Sequence, residues 1–347
     1  MYRITLMPGS GIGPEIIEAV KEIMLALEIE IDWETYDANK LNDKKELDKF
    51  LDSCKSTQIL LKGPIIAPKG GSYVYSDWSL HGKLEMPQSY PTINALLRRV
   101  LKCHYGIRIA KNYPGINSKY KNVDIVIMRE LSEDVYVASE YTIENSAAVA
   151  LKIISKKATE NICHFSLNFL EENNRSKITI AHKANVLKQT DGLFLKTAKD
   201  VLSKNNKIIV DDKMIDALCA ELITSPDKFD MILAPSQYGD ILADIGAAMV
   251  GGLGVSPGAS YGEQAAIFEA THGAATDIAG KNIANPTAIL LSACLMLKKM
   301  GEKAKAEFCE KAVASVLKDK KFLTPDLGGN ASTTEYTNAI VEKINTL

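Results

Sequence analysis

The sequence predicts an α/β fold. Short apolar runs rich in β-branched residues alternate with longer stretches of helical period. The helical stretches are too many for one face of a sheet, so both faces are expected to be covered. With 46% hydrophobic residues over 347 positions, the chain can bury the cores of two domains or of one large one.

The elements follow in order. RITLM at 3–7 reads as an alternating strand, followed by a Gly-rich turn and a helix over 14–27 with Pro14 at its start, a position that suits proline. QILLK at 58–62 and VDIVIM at 123–128 read as strands, and 146–172 as a helix. KITIA at 177–181, KIIV at 207–210 and DMILA at 230–234 are further strands, with helices over 191–204, 214–223 and 240–250 after each in turn. AAIFE at 265–269 precedes helices over 287–300 and 304–317. Gly, Pro and Asn chemistry marks loops at 62–76, 110–122 and 251–264.

Charge and cysteine usage exclude several functions. Forty-one Lys and Arg against 43 Asp and Glu leave a formal charge of −2, so the chain is not a nucleic-acid binder working by bulk positive charge. AILLSACLML at 288–297 is the longest apolar stretch, and Lys298 and Lys299 end it far too early to span a bilayer; it reads as a buried helix. The six cysteines form no C-x-x-C pair, which argues against a zinc ribbon or a disulfide framework. A cytoplasmic location is expected from this usage and from the absence of a leader pattern before the first strand.

Four segments carry candidate chemistry. In APSQYGDILADIGAAMVGG, Asp240 and Asp244 stand four apart and share a helix face, a donor pair suited to Mg²⁺ or Mn²⁺. A capping Asp240 with an exposed Asp244 is the competing account. Asp216, on another apolar helix, is a possible third ligand. KITIAHKANVLKQTDGLF delivers His182, Lys183 and Asn185 to a strand end, where open α/β sheets place their sites. A lysine beside a divalent cation has a lowered pKa and suits proton abstraction, although a solvated lysine is the commoner case. Arg98, Arg108 and Arg129 flank apolar segments and could clamp a substrate with several carboxylates, with structural ion pairs as the alternative. EATHGAATDIAGKNIANPTA supplies His272, Gly273, Asp277 and Asn285 in a polar loop. Asp277 there could accept both hydroxyls of an adenosine ribose while repelling a 2′-phosphate. The turn in MPGSGIGPEI resembles a phosphate cradle but lacks G-x-G-x-x-G spacing.

Together, PGSGIGPEI, HKANVLKQTDGLF, YGDILADIGAAMVGGLG, FEATHGAATDIAGKNIANPTAILLSA and TPDLGGNASTTEYTNAI resemble the β-decarboxylating dehydrogenases, the family of isocitrate, 3-isopropylmalate, homoisocitrate and tartrate dehydrogenases. The resemblance runs over nearly the whole chain. It implies that family's α/β/α sandwich rather than a Rossmann fold, with a large domain from 1–95 and 252–347 and a smaller dimerisation domain from 96–251. It also implies a homodimer with shared active sites, in which Asp240, Asp244 and a second copy's Asp216 hold Mg²⁺ or Mn²⁺. Arg98, Arg108 and Arg129 would then bind substrate carboxylates, with Tyr136 and Lys183 as acid and base. Ile12, Gly13, Asn185, His272, Gly273, Asp277, Ile278 and Asn285 would bind the cofactor, and Asp277 followed by Ile278 is the NAD-type signature.

Thr92 with Asn94, and His182 before Lys183, are similar to the isocitrate branch, so oxidative decarboxylation of isocitrate with NAD is the expected reaction. The alternatives are a related 2-hydroxy acid as substrate, or a non-catalytic regulatory role within a larger isocitrate dehydrogenase. Ser10, Leu131, Asp134, Ser236 and Thr276 depart from the family pattern. Asp134, where Gly is usual, is expected to add a carboxylate beside the arginines.

Overall fold

The computed structural model describes residues 1–66, 73–76, 87–90, 92–137, 140–144 and 146–346, so residues 67–72 of the expected loop at 62–76 lie outside the described residues. The chain begins with β1 (Tyr2–Met7), α1 (Gly13–Ala26), β2 (Ile31–Thr35), α2 (Lys44–Thr57) and β3 (Ile59–Lys62). Next come the antiparallel pair β4 (Tyr73–Ser76) and β5 (Pro87–Tyr90), then α3 (Ile93–Val100), β6 (Cys103–Lys111) and β7 (Asp124–Glu130). A second antiparallel pair, β8 (Glu140–Ile143) and β9 (Ala147–Ala150), precedes α4 (Lys156–Glu172), β10 (Lys177–His182), α5 (Thr190–Leu202), β11 (Ile209–Met214) and α6 (Ile215–Thr224). The remainder is β12 (Met231–Ala234), α7 (Ser236–Val250), β13 (Pro257–Gly262), β14 (Ala266–Ala270), α8 (Thr287–Lys299), α9 (Lys303–Asp319) and α10 (Thr333–Thr346).

These elements form two compact units, one of residues 1–103, 113–117 and 253–347, the other of residues 104–112 and 118–252. The first division falls at 103 rather than 95 because α3, with Leu96 and Leu97 fully buried, packs against β4 and β5. In the first unit the strand order is β13-β14-β3-β1-β2, parallel except for β13 with β14. Its centre is α8, buried from Thr287 to Leu297 and packed on β13, β14, α1 and α9. An all-round apolar helix belongs in such a place. In the second unit the order is β11-β10-β12-β7-β6, parallel except for β6 with β7. Helices α4 and α5 pack on each other, and α7 lies on β7 and β12. Both units are mixed α/β layers, the fold class the sequence predicts.

Three expectations are corrected. The stretch 146–155 is not helical: it holds β9 and an extended lead-in, and α4 starts only where the Ser155 hydroxyl accepts the Ala158 N–H at 3.2 Å. The loop at 251–264 contains β13, whose small residues lie buried against α8. Helix α7 begins at Ser236, a turn before Asp240, so Asp240 does not cap it.

Candidate active site

In the first unit, the route from β1 into α1 is a turn that only glycine permits. Gly11 has φ +61, and a Cβ there would stand 1.9 Å from the Ala274 carbonyl oxygen. That carbonyl accepts the Ile12 N–H at 3.0 Å, which fixes the turn to the loop at 271–285. The same loop is pinned by α10: Thr333 donates to the Ala284 carbonyl at 2.7 Å, and the Thr334 hydroxyl to Asn282 Oδ1 at 3.0 Å. Between them lies a cavity of about 600 Å³, lined by Ile12, Gly254, His272, Gly273, Ala275, Ile278, Ile283, Asn285, Pro325 and Asp326. Its walls are mostly apolar with few polar groups, as small-molecule sites are.

His272 Nδ1 stands 3.0 Å from the Gly273 carbonyl, to which it donates, while burial holds the imidazole pKa below its ordinary value. The ring is therefore neutral, and its buried Nε2 is an acceptor with no partner among the described residues. Asn285 is committed to the protein: its Nδ2 donates to Asp326 at 2.9 Å, and its Oδ1 accepts the Thr287 N–H at 2.9 Å at the start of α8. Ile12, His272, Gly273, Ile278 and Asn285 thus share one cavity. Gly13 and the exposed Asp277 adjoin lining residues in sequence but do not line it. Sequence reasoning misses Gly254, Ala275, Ile283, Pro325 and Asp326, although TPDLGG is a visible motif.

Also in this unit, Thr92 caps α3, its hydroxyl accepting the Ala95 N–H at 3.1 Å. Asn94 and Arg98 follow one helical turn apart on a common face. The buried Asn94 amide oxygen has no hydrogen-bond partner among the described residues.

The second unit gathers the charged groups. The β6–β7 register sets Arg129 opposite Gly106 and Arg108 opposite Ile127, so both arginines point to one face of the sheet. Arg129, only 2% exposed, bonds Asp240 Oδ1 and Ser236 Oγ, and its guanidinium lies 4.8 Å from the Tyr136 ring. Its stem crosses α7 at Gly239, where a Cβ would stand 2.7 Å away. The Tyr136 hydroxyl donates to Asp240 Oδ2 at 2.6 Å. Surrounding protein and then the charge of Asp240 raise the pKa of Asp244, against the opposite pull of Arg129 and Arg108. Such a mutually repelling carboxylate pair is a donor set that a hard divalent cation fits.

Lys183, just past β10, pairs through Nζ with Asp216 Oδ1 at 2.7 Å, and this bond lowers the Asp216 pKa. Asn185 is exposed in the turn that follows. Among the described residues of this chain no three His, Cys, Asp or Glu side chains come together as a metal site, so Asp216 does not complete a set with Asp240 and Asp244. Asp134 departs from expectation. It is fully buried at φ +72, with Oδ2 accepting the Gln237 N–H at 2.8 Å, and it faces Lys152 rather than adding a charge beside the arginines. Ser236 is an acceptor for Arg129, and Leu131 packs on Gly106.

The isocitrate/isopropylmalate dehydrogenase family matches residues 3–341. The chain is 39% identical to a mitochondrial NAD isocitrate dehydrogenase regulatory subunit of Dictyostelium discoideum, over 99% of this chain and 92% of that one. It is 35% identical to the alpha subunit of the mitochondrial NAD isocitrate dehydrogenase of Homo sapiens, over 100% and 92%. A crystal structure of isocitrate dehydrogenase from Methylococcus capsulatus superposes with a TM-score of 0.89 at 34% identity, covering 99% of each chain.

Proposed function

The chain belongs to the isocitrate/isopropylmalate dehydrogenase family and is a dehydrogenase, and from that premise we propose that it converts isocitrate to 2-oxoglutarate with NAD and Mg²⁺ or Mn²⁺. The observation that carries the reading is the meeting of Arg129 and Tyr136 on Asp240, with Asp244 one turn further along α7. Arg108 and Arg129 bind substrate carboxylates as guanidinium forks. Arg98 joins them in binding carboxylates, and Thr92 with Asn94 meets the additional carboxylate that distinguishes isocitrate from its apolar analogues. Lys183 takes the proton of the C2 hydroxyl, and after CO₂ leaves Tyr136 returns a proton to carbon. Asp240 and Asp244 would hold the divalent cation, which would supply Lewis acidity, and NAD when bound would supply the hydride acceptor.

The cavity of the first unit suits NAD through its apolar lining and the acceptor Nε2 of His272. Asp277 disfavours a 2′-phosphate by charge. We further propose a homodimer in which Lys183 and Asp216 serve the second copy's Asp240 and Asp244. Ile223 and Ile241, 49% and 50% exposed, lie on α6 and α7, the helices that bear Asp216 and the Asp240–Asp244 pair, and these are exposed apolar side chains that a second copy would cover.

A non-catalytic regulatory subunit is the competing reading, favoured by the similarity to the Dictyostelium protein of that name. The presence of Tyr136, Lys183, Asp216, Asp240 and Asp244 weighs against it. Absorbance of NADH formed by the purified protein decides between them, with isocitrate, 3-isopropylmalate, homoisocitrate and tartrate compared using NAD and NADP, each with Mg²⁺ or Mn²⁺. Isocitrate with NAD should give the highest kcat/KM. Another acid in first place would shift attention to Leu131, and no turnover of any acid would favour the regulatory role.

A further inference from the structure

Two fully buried carboxylates in the second unit share one lysine. Asp134 lies beyond the end of β7 and Asp191 in the first turn of α5, and both are 0% exposed. Lys152, in the extended lead-in to α4, places its Nζ 2.9 Å from Asp191 Oδ1 and 3.5 Å from Asp134 Oδ1. The same ammonium sits 4.4 Å from the centre of the Tyr238 ring. Buried charges of this kind persist only when paired and hydrogen-bonded, and each acid here is satisfied by a backbone group near the candidate site. Asp134 Oδ2 accepts from Gln237 N–H at the start of α7, the helix of Asp240 and Asp244. Asp191 Oδ2 accepts from the backbone N–H of Lys183 at 2.7 Å. Asp134 reaches its place only by adopting φ +72, a conformation costly for a residue with a side chain.

We propose that Lys152, clamped between Asp134 and Asp191, is a positioning residue that ties the turn bearing Lys183 to the N-terminus of the carboxylate helix α7. Neither segment is held by the lysine directly. Without its charge the two acids face each other across a water-poor space and repel, and both backbone contacts loosen together. The effect on turnover rests on the dehydrogenase reading above, whereas the mechanical link does not.

Two measurements on Lys152→Met therefore test it. Amide hydrogen exchange in peptides spanning 182–192 and 236–244 should speed up in both by about tenfold, with α8 peptides unchanged as the internal control. Acceleration of one segment alone, or of neither, would overturn the link. In the same protein kcat should fall by about tenfold while KM for NAD stays within about twofold, because the proposed NAD cavity lies wholly in the first unit. Coupled exchange with unchanged kcat would remove the positioning role. A wild type that turns over no acid would refute the dehydrogenase reading and leave the exchange result to judge the link. If K152M does not fold, Lys152→Gln takes its place, since its amide still donates to the carboxylates while lacking the charge.

Discussion

Glu130 shows how a single side chain beside the candidate site sets a pH dependence. It is 3% exposed and accepts from the Ser132 N–H, the Ser132 hydroxyl and the Glu133 N–H, yet burial outweighs these bonds and pushes its pKa up to about 7. The unfolded chain holds this proton less tightly, with a pKa near 4.5. Folding is therefore favoured by this group below about pH 4.5, and its contribution is lost as pH rises towards 7, at about 1.4 kcal/mol per pH unit. Urea unfolding of wild type and Glu130→Gln at several pH values should show the variant gaining on wild type between pH 5 and 7, then running parallel; parallel curves throughout would mean that the group titrates normally. Nothing in MRELSEDVY announces this, because the sequence gives residue types at a strand end but not their depth. Arg129, Asp240 and Lys183 stand out in the sequence for the converse reason, as charges at the edges of apolar runs, which a site and a structural ion pair both place there. Lys152 does not, since within the helix expected over 146–172 it is one lysine among several.

Among the elements, the β1–α1 turn and α5 respond to the same substitution with opposite signs. Gly11→Ala puts a methyl group against the Ala274 carbonyl at φ +61, and should cost at least about 1–2 kcal/mol while loosening the loop that lines the proposed NAD cavity. Gly192, in the first turn of α5, has no atom within 4 Å of where a methyl group would stand and no positive φ, so Gly192→Ala should stabilise by about 0.5–1 kcal/mol. Thermal melting with and without NAD checks both, and a G11A protein that melts and binds NAD like wild type would show that the turn adapts. The elements that the sequence reveals are those with one simple period. Strands β1, β3, β7, β10, β12 and β14 appear as short apolar runs rich in β-branched residues, because each has a parallel neighbour in a sheet covered on both faces. Strand β13 escapes because PGASYG is made of turn residues, and only the packing of α8 upon it makes such a segment a strand. Strand β9 reads as helix because AAVALKII satisfies both patterns, and the Ser155 cap decides between them a few residues later.

At the scale of the whole molecule, the chain holds carboxylates that do not complete one another. Lys183 and Asp216 pair with each other at 2.7 Å, while Asp240 is engaged by Arg129 and Tyr136, and no third acid joins Asp240 and Asp244 among the described residues. A single sequence cannot show which copy's residue completes which site, and for that reason the proposal of shared sites rests on resemblance. Physical chemistry nevertheless makes the two arrangements distinguishable. Lys183→Ala and Asp240→Asn should each lower kcat by about 10²–10⁴ as homodimers, through loss of the base and of a carboxylate ligand respectively. If the sites are shared, a mixed dimer has one site with both defects and one with neither. Equal amounts of the two inactive proteins, unfolded together and refolded, should then regain about a quarter of wild-type activity, because half the dimers are mixed and each has one intact site. If every site is built from one chain, the mixture stays as inactive as its components, since each polypeptide carries its own defect into its own site.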